Sequence, residues 1–448
     1  MLPPLGKLFE KVLATQIVIY FNMNNLFFNG QHGFRAFHSC ESALHELISF
    51  LNETKNKKLI ALLLFIDFKK AFDLVDSDLL IKKLFHYGFS NDSLDLIKNY
   101  FFNRRQKVKV KDSFSDLLLN LLGVPQGSVL GPLFFIIFIN DLAFLLKDLM
   151  TKLFADDTTL IDTHDNMDIL IIKFKKKLEI LINWCKFNKL DINWAKTDFM
   201  FVTNKRIKAP KEIEISAGIS VRVVEQFKLL GVTIENKLNF ETYASMIKKS
   251  VNRKLYSIKR LFYLCQSVKL QFFKSFIMLH FDYCSTLFCY FPKATLQKIH
   301  NTYNYIISKL LNLNATADSN NFNVLLENYG LNNFQHRLFI RMATFIHNIV
   351  NIDQAPKLLK DQIKMNLIVH KGGYNLRNKF QVNQPLRIYN HYGESTFVYF
   401  YSKFINNFIL NDLKINFYTF KKLLYNNLNN HFVKFCQIFP KFDLWLKT

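Results

Sequence analysis

The sequence lacks most features that would place it outside a reducing compartment or inside a bilayer. Its six cysteines (Cys40, Cys185, Cys265, Cys284, Cys289, Cys436) are scattered without a pairing framework, and no signal peptide opens the chain. A reducing intracellular setting is therefore expected. The longest apolar runs, residues 59–66 and 133–139, fall far short of the roughly 18 residues that span a bilayer, so no membrane partner is expected. No internal repeat is visible, which sets solenoids aside. There is also no P-loop, no Cys-His knuckle and no Gly-rich Asp-containing tract of ribonuclease-H type. His280, Cys284 and Cys289 are the only cluster resembling a metal site. They lack a fourth ligand at finger spacing and sit among Leu279, Phe281, Tyr283 and Phe288, so buried thiols are expected there rather than zinc.

Acidic residues are few beside basic ones, 35 against 59, a net charge of +24 over 448 residues. Such an excess suits a polyanionic partner, because cations that neutralise phosphates release condensed counterions. The excess is mostly Lys in a chain also rich in Asn, Ile and Phe, which an A+T-rich coding sequence produces without selection for binding. Half the residues are hydrophobic, with 48 Phe. That excludes a disordered chain, and the length implies more than one core.

Apolar spacing predicts helices over 7–20 and 42–51, separated by the loop Asn29-Gly30-Gln31-His32-Gly33-Phe34-Arg35. The run Leu59–Ile66 reads as a buried strand ending at Asp67. A helix over 76–87 stopped by Gly88 follows, then an alternating basic strand over 107–111. The tract from Gly123 to Pro132 feeds a helix over 133–146, and residues 152–162 read as a hairpin with Asp156 and Asp157 at its tip. A helix over 167–188, a strand over 199–203 and a strand pair over 227–234 complete a mixed α+β pattern. Over 241–262 the apolar residues keep helical spacing, with Lys248, Lys249, Arg253, Lys254, Lys259 and Arg260 as a basic flank: either a nucleic-acid contact or a solvated face.

One carboxylate at the end of an apolar strand and two at the tip of an apolar hairpin are what a two-magnesium phosphoryl-transfer site needs. Magnesium takes hard oxygen ligands, and two ions about 3.5–4 Å apart stabilise the attacking and leaving oxygens together. An Asp-Asp pair alone is weak evidence, since acids in surface turns are common. Order and context make the case strong. Phe65-Ile-Asp-Phe-Lys-Lys-Ala-Phe-Asp73, Gly123-Val-Pro-Gln-Gly-Ser-Val-Leu-Gly-Pro-Leu133 and Phe154-Ala-Asp-Asp157 resemble, in order and spacing, the three catalytic blocks of reverse transcriptases. Leu8-Phe-Glu-Lys11 and Gln31-His-Gly-Phe-Arg35 resemble fingers motifs of the non-LTR, jockey-like branch. Leu190-Asp-Ile-Asn-Trp-Ala-Lys-Thr197 resembles its fourth palm block, Phe227-Lys-Leu-Leu-Gly-Val232 its primer grip, and Phe281-Asp-Tyr-Cys-Ser-Thr286 the region after its thumb.

The resemblance implies a right-hand polymerase: fingers and palm over 1–240, a helical thumb over 241–312, and a helical C-terminal region of unknown role over 313–448. It implies an RNA-directed DNA polymerase extending a primer 3′-end with dNTPs on an RNA template, copying element RNA at a DNA target in a nuclear or cytoplasmic ribonucleoprotein. Asp67, Asp156 and Asp157 would hold two Mg2+ ions, or Mn2+, with the Phe68 carbonyl as a further ligand. Gln126, Gly127 and Ser128 would border the nucleotide and template, or form a plain helix-entry turn. Arg35 would contact triphosphate or template, or stand as a surface Arg. Lys196 would protonate the departing pyrophosphate, or be an ordinary solvated Lys. Phe72 would be the steric gate against ribonucleotides, or a core Phe anchoring the turn. Relatives of this type carry an endonuclease ahead of the polymerase, whereas Met1 lies almost at the fingers motif, so a fragment of a larger element protein is expected. The rival readings are a non-catalytic remnant that binds nucleic acid and a group II intron-type maturase. After residue 313 nothing suggests the splicing domain that a maturase would need.

Overall fold

A computed structural model describes residues 3–120, 122–216, 218–259, 263–311, 326, 328–364, 367–369, 380–382, 391–409 and 415–444. The chain forms two compact units, one of residues 1–39 and 58–224, the other of residues 40–57 and 225–448. The expected division at residues 240 and 312 is functional and stays a proposal. Compactness cuts the chain elsewhere.

The first unit is built on a six-stranded sheet in the order β6-β7-β1-β8-β10-β9. Its strands are β1 (Ile60–Ile66), β6 (Met150–Phe154), β7 (Asp157–His164), β8 (Asp198–Val202), β9 (Glu212–Ser216) and β10 (Ile219–Val223). All seven residues of β1 are buried, as expected of a continuous apolar run with neighbours on both edges. It pairs antiparallel with β7 and with β8. Helices α1 (Pro4–Met23), α3 (Ser77–His86), α4 (Asn91–Phe101), α5 (Leu130–Leu145) and α6 (Met167–Phe187) belong to the same unit. Asp76 accepts from Asp78 and Leu79 N–H at the start of α3, and Asn166 caps α6 likewise. In α5 nearly every side chain is buried, as its all-round apolar sequence dictates.

Of the strand expected over 107–111 only Lys109–Val110 forms, with another short piece before it at Arg105–Gln106. β2 (Arg105–Gln106) and β3 (Lys109–Val110) pair with β5 (Leu118–Leu119) and β4 (Ser113–Phe114) in two-stranded ribbons. Val108 and Val110 are exposed. The alternation has no core face to serve, so it does not extend the pairing.

Glu10 of the Leu8–Lys11 motif is buried, and it accepts from the Val129 N–H at the entry of α5 (2.5 Å) and from the Tyr100 hydroxyl (2.9 Å). Removing a buried acceptor strands its donors at a cost of about 1–3 kcal/mol. Glu10→Ala is therefore expected to lower the first unit's denaturation midpoint, and Glu10→Gln, which keeps an acceptor, to lower it less. An unchanged midpoint in both would show that Glu10 is not the brace.

In the second unit, β11 (Gln226–Leu229) and β12 (Val232–Glu235) form the expected strand pair. Leu230 and Gly231 both have positive φ at the turn. Then come α7 (Glu241–Lys259) and helices Gln266–Phe272, Met278–Asp282, Lys293–Leu311, Phe334–Asn351, Lys357–Lys364, Phe397–Phe404, Phe417–Asn426 and Leu428–Ile438. Arg260 and Phe262, expected at the end of α7, lie outside the described residues. The mixed α+β class and the helical C-terminal region are as expected. Cys284 and Cys289 are buried free thiols whose pKa burial pushes up. Among the described residues no helix is long and apolar enough to cross a membrane.

Helix α2 (Cys40–Asn56) belongs to this second unit and is buried almost all round, not on one face. His45 on it is fully buried, with one ring nitrogen 2.7 Å from the Tyr290 hydroxyl and the other 2.7 Å from Thr286 Oγ1. Burial pushes its pKa from 6.5 down to about 3. A base whose folded pKa is depressed contributes stability above its unfolded pKa and loses it as pH falls, by up to about 1.4 kcal/mol per pH unit. Stability of the second unit is thus expected to decline from pH 6.5 towards pH 3. His45→Gln should be less stable at neutral pH but flatter across that range. A parallel decline in both proteins would assign the acid sensitivity to other groups.

Candidate active site

Register brings the three carboxylates together. In the β1–β7 ladder Ile66 stands opposite Thr158, so Asp67 and Asp157 are the next residue of each strand at the same end of the ladder. Phe154 pairs with Asp157, which leaves Ala155 and Asp156 as a two-residue turn. Ala155 carries φ +58°, the first-position sign of a II′ hairpin that usually calls for Gly.

The loop of the Gln31–Arg35 motif braces this turn. Gln31 bridges to Leu153, Leu153 N–H donates to Gly30 O and His32 N–H to Leu153 O. The Gln31 side-chain oxygen accepts from Gly33 N–H (2.8 Å) and Ala155 N–H (3.2 Å). A Cβ at position 33 would overlap the Ala155 backbone nitrogen, so only glycine permits this approach.

On the other side, Phe68 bridges to Ile192, with Lys69 N–H donating to Asp191 O and Asn193 N–H to Asp67 O. Both bonds flank Phe68, so its own carbonyl points away from residues 191–193. The Asn193 side-chain amide donates to Asp67 Oδ2 (2.9 Å), and Lys196 Nζ lies 3.8 Å from the same oxygen. Residue-type reasoning did not single out Asn193, Gln31 or Glu10. All three lie inside motifs that were recognised, which is the signal that could have found them.

Asp156 is half-buried. Burial and the charge of Asp67 raise its pKa. Asp157 is solvent-accessible at its rim, yet desolvation first, then Asp156 and Asp67, push it to about 6. Three crowded anions of hard oxygen donors fit a divalent cation. Among the described residues no three His, Cys, Asp or Glu side chains are arranged closely enough to hold a metal as they stand. Asp67 Oδ2 is held by the Asn193 amide.

The remaining expected residues divide. Phe72 is half-buried, stacked on Phe135 (4.2 Å, 24°) and edge-on to Phe34 (6.1 Å, 84°). Gln126 is exposed and donates to Asp73 Oδ1 (3.0 Å), tying the second catalytic block to the first. Gly127 has φ +78°, and open space faces it where a Cβ would stand. Ser128 is buried, and its hydroxyl donates to Pro125 O and accepts from Gly131 N–H, so it shapes the entry of α5. Arg35 points its guanidinium at the carbonyls of Phe28 and Gln31 (3.1 and 3.3 Å) and lies over the Phe27 ring. It pins its own loop.

Residues 1–234 match the profile of the family described as Reverse transcriptase (RNA-dependent DNA polymerase). The chain belongs to the reverse transcriptase family. The six strands of the sheet, residues 60–223, all lie inside the segment that matches this family. Among curated relatives it is 32% identical over 256 residues to a probable RNA-directed DNA polymerase from transposon BS of Drosophila melanogaster, covering 54% of this chain and 27% of that protein. It is 25% identical over 262 residues to the RNA-directed DNA polymerase from mobile element jockey of the same fly, covering 57% and 28%. The chain thus spans little more than a quarter of the length of the curated relatives it matches. Among solved structures it is similar to an apo telomerase from Candida tropicalis, with TM-score 0.40, 14% identity and coverage of 76% and 54%. It is similar also to a telomerase from Candida albicans in complex with a fragment of telomeric RNA, with TM-score 0.34, 13% identity and coverage of 81% and 58%.

Proposed function

We propose that the chain is the polymerase part of a non-LTR retrotransposon protein, extending a primer 3′-end with deoxynucleoside triphosphates on an RNA template and releasing pyrophosphate. The observation that carries this reading is the gathering of Asp67, just past the end of β1, with Asp156 and Asp157 at the β6–β7 turn, close enough that the charge of Asp67 raises the pKa of both, inside the segment that matches the family. Two Mg2+ ions, or Mn2+ in their place, would supply charge neutralisation of the triphosphate and a lowered pKa at the primer 3′-hydroxyl.

The chain's own residues do the rest by position. Asp67, Asp156, Asp157 and the Phe68 carbonyl are the metal ligands, and the acids move no proton themselves. Asn193 fixes the rotamer of Asp67 through its 2.9 Å hydrogen bond. Lys196, exposed beside Asp67, gives its proton to the departing pyrophosphate. Phe72 faces the sugar, and the bare backbone of Gly127 with Gln126 borders the nucleotide and template. Ser128 serves by shaping that loop. Arg35 contacts triphosphate or template from the loop it pins through Nη1 to the carbonyls of Phe28 and Gln31.

Primer extension by the purified chain tests the reading. Extension that requires an RNA template, deoxynucleotides and a divalent ion is expected, and nucleic-acid binding without extension would identify a non-catalytic remnant. On α7, Lys248, Lys249 and Arg253 are exposed. Replacing all three with Ala is expected to flatten the slope of log affinity against log salt by about 0.7–0.9 per lost phosphate contact. An unaltered slope would leave that flank as a solvated helix face.

A further inference from the structure

The second unit carries a cleft that the polymerase reading does not use. Two cavities meet there, one of about 280 Å³ and one of about 400 Å³, and Asn332 and Tyr425 line both. The larger side presents Arg337, Arg341 and Lys421 against a single acid, Glu41. Arg337 is committed, since its Nε and Nη2 both go to the Asp282 carboxylate. Glu41 Oε1 accepts from Thr286 N–H. Arg341 differs from both. Its Nε is buried and has no hydrogen-bond partner among the described residues. Lys421, four residues before Tyr425 on the same helix, is exposed. The smaller side is lined by side-chain amides, among them Asn426, Asn429 and Asn430. The Tyr425 ring, 45% exposed, stands where the two sides join.

Each part suits a different part of a nucleotide. A guanidinium and an ammonium match phosphate oxygens. A half-exposed tyrosine offers its face to a base without regard to sequence. Amides present donor and acceptor together to a base edge. We propose that this cleft binds single-stranded nucleic acid, with phosphates towards Arg341 and Lys421 and a base against Tyr425. No motif marks it because its residues come from four distant segments, around residues 41, 286, 331–348 and 421–430. The cleft shares no residue with the set Asp67, Asp156 and Asp157, and binding there requires neither metal nor polymerisation.

The test uses the full chain carrying Asp156→Asn, without nucleotides or metal, and short oligo(U) and oligo(dT) bearing one photoreactive 4-thio base. Crosslinks on the peptide containing Tyr425 are expected, and Tyr425→Leu should weaken that crosslinking roughly 5- to 150-fold. Lys421→Gln alone should flatten the salt slope by about 0.7, and Arg341→Gln with it by about 1.4. Equal losses for both oligonucleotides would assign shared phosphate and base chemistry, and a loss confined to oligo(U) would add recognition of the 2′-hydroxyl. Lys421 and Tyr425 are exposed, so both variants keep the fold, and unchanged thermal midpoints verify it. Crosslinks confined to residues 1–39 and 58–224, with an unchanged slope in Lys421→Gln, would overturn the proposal.

Discussion

Asp156→Asn is expected to reduce RNA-templated primer extension by on the order of 10²–10³-fold, the scale of losing one preorganised electrostatic contact to the reacting centre, while leaving the fold as stable as before or slightly more so. The two halves of that expectation come from one geometry. Asp156 occupies a two-residue turn beside Asp157 and near Asp67, and burial and neighbouring negative charge hold its pKa above the usual carboxylate range. An anion held against repulsion destabilises the protein that carries it, so the isosteric amide relieves the fold as it removes a hard ligand. Primer extension and thermal unfolding on the same preparation read both. Unchanged divalent-dependent extension would sink the assignment of Asp156, and a collapsed midpoint would make it a structural residue.

Phe72→Val is expected to raise ribonucleotide incorporation relative to deoxynucleotide incorporation by roughly 5- to 150-fold, because accommodating a 2′-hydroxyl against a fixed ring costs overpacking energy of about 1–3 kcal/mol. The ring is fixed from both sides. Phe135 stacks on one face, and Phe34, itself largely exposed, meets it edge-on. A gate must not yield, and Phe135, fully buried in α5, is the backing that keeps it from yielding. The same stacking would serve a plain packing residue, so single-nucleotide incorporation with matched ribo- and deoxynucleotides must be read beside the denaturation midpoint. Wild-type discrimination with a lowered midpoint would show that Phe72 only packs and that selection lies elsewhere.

Much of this was legible along the chain. A continuous apolar run ending in a carboxylate could only be a buried strand delivering that carboxylate to an edge, and Leu59–Ile66 became β1 with Asp67 just beyond it. Apolar residues flanking two acids closed into the β6–β7 hairpin. Gly88, with φ +91°, ended α3 where a left-handed residue was needed. The amphipathic pattern from Glu241 became α7. What escaped was mostly short or two-sided. β9 and β10 alternate too briefly to stand out, and α4 is a modest helix whose buried face is little more than Leu94 and Ile97.

The sequence by itself determined the local states and the chemical inventory: which segments are strands or helices, and which three acids lie at their ends. Those follow from periodicity and residue type, which act over a few neighbours. Only the tertiary structure decided partners. The apolar positions of α2 require burial but do not say against what, and it is with residues 225–448 that the helix clusters. A serine in a glycine-rich loop can bind a ligand or cap a helix, and the Ser128 hydroxyl is taken up by Pro125 and Gly131. An arginine in a fingers motif can meet a phosphate or pin its own loop, and Arg35 holds the carbonyls of Phe28 and Gln31. Hydrogen bonds are short and directional, so their partners are fixed by where the packed backbone places each group, and spacing along the chain carries no record of that.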